Sequence, residues 1–142
     1  MAKTVSSIEI KAPLKKVFSV IADFESYPEF LSGSKKVKIL KKSAQKMQVE
    51  FHMDLIKTIR YVLDIELDPP HTLRWTLVKG DFMKSNSGAW KLEEKKKGHT
   101  QATYEIEMDF GLLVPKAISA VLIGKNLPAM MKEFKERVED GK

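Results

Sequence analysis

The 142-residue chain contains no cysteine. That absence excludes disulfides, thiol nucleophiles, thiolate zinc sites and cysteine-held clusters, and it leaves the redox compartment unmarked. Histidine is scarce as well: His52, His71 and His99 sit too far apart to share a helical turn or a strand face, so no metal site is expected. No Gly-x-Gly-x-x-Gly or phosphate-binding loop occurs, and Ser85-Asn86-Ser87 lacks the glycine frame of a nucleophile elbow. No apolar run approaches a membrane span. Residues 1–10 lack the basic-then-apolar order of a signal peptide, so a cytoplasmic location is expected. Neither a metal nor a cofactor is expected.

What the chain does have is hydrophobic residues, at 43%, and a positive balance, 25 Lys and Arg against 19 Asp and Glu for a net charge of +6. A chain of this length buries roughly 70% of its unfolded surface, so one domain over residues 1–142 is expected. The charge is spread evenly between the two halves, with local runs at Lys35, Lys36, Lys38, Lys41, Lys42 and Lys46 and at Lys95, Lys96 and Lys97. Recognition of nucleic acid needs charge gathered on one face. Lysines on a sheet edge and in a hairpin turn serve first to keep the edge from pairing with other chains, with approach to an anionic membrane second and contact with RNA or the ribosome third.

Hydrophobic spacing organises the chain. Thr4 to Ile10 reads as a strand stopped by Ala12-Pro13. Leu14, Val17, Phe18 and Ile21 then recur at helical spacing, predicting a helix over Pro13–Ala22. A second short helix is expected behind Asp23 as N-cap, carrying Phe24, Tyr27, Phe30 and Leu31 and closed by Ser32-Gly33-Ser34. The period then changes from 3.6 to 2: Val37 and Ile39; Met47, Val49, Phe51 and Met53; Ile59 to Leu67; Leu73, Trp75 and Leu77; Phe82 to Leu92; and Ala102 to Phe110 each alternate with polar residues. Six strands in series imply an antiparallel meander with one covered face. Within the last of them, Glu105, Glu107 and Asp109 fall on the face opposite Tyr104 and Met108 and read as a solvated acidic face. A long amphipathic helix over Val114–Glu139 follows, interrupted by Gly124 and Pro128, with a kink expected near Asn126.

The predicted class is α+β: a curved antiparallel sheet of about seven strands, two short helices after the first strand, and a long C-terminal helix over the apolar face. A curved sheet does not close onto a straight helix, and the mismatch leaves a hydrophobic cavity. This order resembles the START-related, Bet v 1-like (SRPBCC) helix-grip superfamily. The resemblance is carried by Ser7-Ile8-Glu9-Ile10-Lys11-Ala12-Pro13, the run from Val17 to Leu31 with Tyr27-Pro28 in it, Gly88-Ala89-Trp90, and the closing Met131 to Arg137. Within the superfamily the chain looks most like the polyketide cyclase and coenzyme Q-binding branch. Quinone-binding and ribosome-associated members usually follow the tyrosine-proline segment with proline-tryptophan-cysteine, whereas here Leu31 runs directly into Ser32.

The resemblance implies binding, transport or sequestration of a hydrophobic small molecule, such as a lipid, quinone or polyketide-like aromatic, without a catalytic residue. The side chains expected to line its cavity are Phe30, Phe51, Met53, Tyr61, Leu63, Trp75, Leu77, Met83, Trp90, Tyr104, Met108, Ile118, Leu122 and Met130. Tyr61, Tyr104, Trp75, Trp90 and Asn86 would bring the few polar groups such a pocket needs, and the methionines would adapt to an irregular ligand. A gate is expected where the kink meets Gly111–Pro115. The alternatives are a cyclase or dehydratase in the same cavity, which requires an inward Arg, His or carboxylate near Tyr61 or Tyr104, and a ribosome-associated protein using the lysines.

Overall fold

The structure, a computed structural model, describes residues 3–54, 58–110 and 122–140. Strand β1 (Lys3–Ile10) leads through Pro13 into helix α1 (Leu14–Ala22), which buries Val17, Phe18 and Ile21. Pro13 is extended, with φ −63° and ψ 152°, and its carbonyl accepts the first helical hydrogen bonds, from Lys16 N and Val17 N at 3.0 and 3.1 Å. It therefore stands one residue outside the helix, as a proline can without losing a donor.

The second short helix differs from expectation. It is a 3₁₀ helix over Phe24–Glu29, and Phe30 and Leu31 lie beyond it. The three-residue spacing of Phe24, Tyr27 and Phe30 is the reason, because side chains three apart eclipse in a 3₁₀ helix. Asp23 does not cap it through its side chain; its carboxylate accepts the Ser26 hydroxyl at 2.7 Å instead.

Six strands follow: β2 (Ser34–Lys42), β3 (Lys46–Asp54), β4 (Thr58–Asp68), β5 (Thr72–Gly80), β6 (Ser85–Lys96) and β7 (His99–Asp109). With β1 they form one antiparallel sheet in the order β1-β7-β6-β5-β4-β3-β2. Bulges near Lys36, Leu40, Val62 and Lys95 interrupt the register and bend the sheet. The lysine-rich β2 is an edge, as expected. Strand β6 starts at Ser85 rather than Phe82, because β5 runs on through Gly80 and the turn falls on Asp81 to Lys84. Gly80 permits this: a Cβ there would lie 2.8 Å from Tyr61 Cβ.

The C-terminal helix begins with a π-helical turn over Leu122–Asn126 and continues as α2 (Leu127–Glu139) with Pro128 in its first turn. The change of winding falls at Asn126, where the kink was expected. The portion expected over Val114 to Val121, and with it Ile118 and the Gly111–Pro115 gate, lies outside the described residues. Leu127, Met131, Phe134 and Val138 form the buried stripe of α2. Its C-terminal half is tied down by polar contacts: Lys135 Nζ donates to Glu9 O at 2.7 Å, Glu139 accepts Lys11 N at 2.8 Å, and Arg137 reaches Glu29 at 2.8 Å and stacks 4.9 Å over the Phe30 ring. The backbone N–H of Lys11, and then the Lys135 ammonium, holds the Glu139 carboxyl below its ordinary value.

Candidate functional site

Alternation sends Met47, Val49, Phe51 and Met53 of β3, Tyr61, Leu63 and Ile65 of β4, Leu73, Trp75 and Leu77 of β5, Asn86, Trp90 and Leu92 of β6, and Ala102, Tyr104, Ile106 and Met108 of β7 toward α2. These positions are not equally filled. At the end where α1, the 3₁₀ helix and the tied half of α2 meet the sheet, Val17, Ile21, Phe24, Leu73, Leu92, Ala102, Phe134 and Val138 are all at most 4% exposed. At the opposite end, near the last residues of β3 and β7 and the β5–β6 turn, the inward Met53, Tyr61, Leu77, Ile106 and Met108 are only half-buried. Among the described residues, the side chains of the first end are buried and those of the second only partly so.

Aromatic rings join the two regions in an arch. Tyr61 stacks on Phe51 at 5.4 Å, Phe51 meets Phe24 at 5.9 Å, Tyr27 meets Phe134 at 5.3 Å, and Trp90 links Phe134 at 5.3 Å to Tyr104 at 4.8 Å, which lies 5.2 Å from Trp75. Ring pairs at these separations and mostly steep angles are favourable beyond their burial. The Tyr27 hydroxyl donates to Ile21 O, and the Trp75 indole N–H donates to Asn86 Oδ1 at 3.0 Å, so both are satisfied by protein. Met83 lies in the β5–β6 turn and accepts from Asn86 Nδ2 through sulfur at 4.0 Å.

Tyr61 and Tyr104 differ from them. Neither hydroxyl has a hydrogen-bond partner among the described residues, and burial pushes both phenols well above their ordinary range, Tyr104 further through the neighbouring Tyr61. Both side chains nevertheless keep some accessible surface. They stay protonated at any physiological pH. Ser34, 7% exposed at the start of β2, carries a buried hydroxyl without a partner among the described residues. Sequence reading overlooked it, because the bulge behind it breaks the alternation that would have placed it inward. Among the described residues, the inward positions of β3 to β7 bear no Asp, Glu, Lys, Arg or His.

Of the other expected lining residues, Leu63, Trp75 and Trp90 are buried in the arch, Met130 is half-buried on α2, and Phe30 sits between Tyr27, Phe134 and Arg137 at the outer rim. The side chain of Leu122 lies outside the description, as Ile118 does.

The outer sheet face is different in kind. An open trough of about 350 Å³ there is floored by Ser87, Gly88 and Ala89 and walled by Arg74, Lys91, Glu66, Glu105 and Glu107. Its mixed charge suits no hydrophobic molecule. Glu105 departs from the expected solvated face: Lys3 and Lys91 each reach it at 2.6 Å, its side chain is 13% exposed, and the hydrogen bonds from Lys3 and then Lys91 hold its carboxyl down to about 2. His52 pairs with Glu50 at 2.9 Å, and no metal-holding group of His, Asp and Glu occurs among the described residues.

A family model described as polyketide cyclase/dehydrase and lipid transport matches residues 10–135. The chain belongs to that family. No curated protein sequence matches it significantly. Among solved structures, an aromatase/cyclase, Zhui, from Streptomyces sp. R1128 is 18% identical, with a TM-score of 0.88 over 97% of this chain and 93% of that one. A START superfamily protein from Mycobacterium smegmatis is 18% identical with a TM-score of 0.87, covering 99% of each chain. A STAR-related lipid transfer protein fragment from Xanthomonas axonopodis is 14% identical with a TM-score of 0.78 over 96% of this chain and 85% of that one. These likenesses establish the helix-grip fold. No helix among the described residues is long and apolar enough to cross a membrane.

Proposed function

We propose that the chain binds and carries an uncharged, ring-containing hydrophobic molecule at the half-buried end of the inner sheet face, between the sheet and α2. The observation that supports this reading is an inner face of β3 to β7 that, among the described residues, bears no ionised group and carries two tyrosine hydroxyls to which those residues supply no hydrogen-bond partner. A carboxylate or phosphate enclosed there would lack a counter-charge, which costs several kcal/mol. A carbonyl or phenolic oxygen, by contrast, accepts a hydrogen bond from a phenol, and the rings of Phe51, Tyr61, Trp75 and Tyr104 present flat surfaces to a flat ligand.

The test is purification from the native host without detergent, followed by solvent extraction and mass spectrometry. A neutral lipophilic species that is retained by the native protein and reduced in the Tyr61→Phe/Tyr104→Phe variant supports the reading. An extract without one, together with an interior found filled by side chains, overturns it.

A cyclase or dehydratase role in the same space is favoured by one observation, the two phenols held protonated, which can polarise a substrate carbonyl. The described interior supplies no base, so such catalysis would rest on orientation and hydrogen-bond donation. Turnover of a poly-β-keto thioester that is lost in Tyr104→Phe supports it, and binding of the thioester without turnover counts against it.

A further inference from the structure

Large apolar side chains are exposed at four described positions, Val5, Leu40, Val78 and Phe82, and two of these share the β5–β6 hairpin. Val78 is 45% exposed beside the bulge in β5, and Phe82, 37% exposed, occupies the turn with φ 59°. A bulky side chain in that left-handed region is strained where glycine or asparagine would not be. The same hairpin carries Lys79 and Lys84, both exposed, and it lies at the end where Met53, Tyr61 and Leu77 are half-buried. Lys35 and Lys36 at the start of β2 and Lys125 ahead of α2 stand at that end too, and none of these five lysines forms an ion pair among the described residues. Of the acidic side chains nearby, Asp81 faces Arg60 at 3.9 Å, Asp54 accepts the Thr58 hydroxyl at 2.6 Å, and Asp109 stands opposite Ser85 beside Lys84, whose backbone N–H donates to its carbonyl at 2.6 Å.

We propose that this hairpin is a docking element for an anionic lipid bilayer, with Phe82 and Val78 entering the headgroup boundary and the surrounding lysines held by the negative surface. The occupant follows from the chemistry: apolar tips flanked by cations match an anionic interface, where apolar contact and charge attraction act together. Nucleic acid would use the lysines and leave the apolar tips in water. The sequence offered the lysine runs for this role only second to protection of a sheet edge, and of them Lys41, Lys42, Lys46 and Lys95 to Lys97 lie at the other end of the sheet. Docking by the hairpin would turn the half-buried end of the inner face toward the lipid, the orientation that exchange of the hydrophobic cargo proposed above requires. The surface residues that carry the proposal do not depend on the nature of that cargo.

Flotation of the full chain with vesicles of phosphatidylcholine alone, or of phosphatidylcholine with phosphatidylserine, tests it. Enrichment on the anionic vesicles that falls as salt rises is expected. Each lysine at an anionic leaflet changes the partition coefficient by a factor of about five, so Lys79→Gln/Lys84→Gln lowers it about 25-fold, whereas Lys95→Gln/Lys96→Gln leaves it unchanged. Phe82→Gly, whose backbone adopts this φ without steric cost, keeps the fold by circular dichroism and still partitions less. Phe82→Asn serves as a second variant with the same tolerance. Four results would overturn the proposal: no enrichment on anionic vesicles at low salt, equal losses in the Lys95/Lys96 pair, native partitioning of both Phe82 variants, or binding to single-stranded RNA in preference to vesicles. Failure here with a cargo still extracted would remove the docking element and leave the carrier reading standing.

Discussion

Gly88→Ala tests whether the arch is held as the structure shows. Gly88 faces Trp75 on β5 and Ile106 on β7. A Cβ at this position would lie 2.2 Å from Glu105 O, 2.6 Å from Trp75 Cζ2 and 3.0 Å from Trp75 Cε2. The carbonyl belongs to the sheet ladder and cannot retreat without opening the β6–β7 pair. The indole is fixed by its bond to Asn86 and by Tyr104 at 5.2 Å. Overpacking of this kind costs about 1–3 kcal/mol. Displacing the indole from Asn86 adds about 1–3 kcal/mol for an unsatisfied buried donor. At roughly 3 °C per kcal/mol for a chain of this size, Tm falls by about 6–18 °C. Thermal unfolding followed in the near-ultraviolet circular dichroism of the indoles reads both the loss and the altered ring environment. Trp75→Phe in the Gly88→Ala background removes the ring clash but not the clash with Glu105 O, so a double-mutant cycle should recover part of the cost. Gly98→Ala is the contrast: its Cβ meets nothing within 4 Å, and only its φ of 77° is unfavourable, worth about 1–2 kcal/mol. A Gly88→Ala protein with Tm within about 2 °C of the native value and an unchanged indole band would refute the packing described.

Two further outcomes follow from single contacts. Tyr27→Phe removes the buried hydroxyl that donates to Ile21 O and leaves that carbonyl without it; a loss of about 1–3 kcal/mol in urea unfolding is expected, with ligand extraction unchanged because this hydroxyl is already satisfied. Glu105→Gln tests the outer face: a carboxyl held down to about 2 in the fold, against 4.5 ordinarily, contributes stability that is present above pH 4.5 and lost as pH falls toward 2. The variant should therefore melt below the native protein at pH 7 and together with it near pH 2, and a gap independent of pH would contradict the Lys3 and Lys91 pairing.

Facing was legible in the sequence, and depth was not. Period-2 alternation placed Phe51, Leu63, Trp75, Trp90 and Tyr104 toward the covering helix, and period 3.6 picked out Phe134 and Val138 on α2, because both patterns follow from local backbone geometry; the helical period took Met130 for the stripe, whereas Met131 is the buried methionine and Met130 is half-buried. The departures arose where one residue's conformation overrode the pattern. Phe82 continued an apolar run but sits in a turn at positive φ, so β6 begins three residues later. Glu105 alternates outward like Glu107, yet two lysines from flanking strands enclose it. No local rule gives the distance between residues 3, 91 and 105 before the strand order is known.

The same limit decides where a site lies. Leu73 and Leu77 are the same residue type, face the same way and stand four positions apart on β5, yet Leu73 is 2% exposed and Leu77 is half-buried. The difference is made by other elements: α1 and the 3₁₀ helix drive Val17, Phe18, Ile21, Phe24 and Tyr27 into one end of the interior, and Lys135, Arg137 and Glu139 fasten α2 over that end. No described residue plugs the other end in the same way. Tyr61 and Tyr104 lie toward that end with hydroxyls to which the described residues supply no partner. An acceptor brought by a bound molecule would satisfy them at no cost to the chain, whereas a buried donor left unpaired is costly, and the extraction of a neutral lipophilic species from the native protein but not from Tyr61→Phe/Tyr104→Phe separates the two.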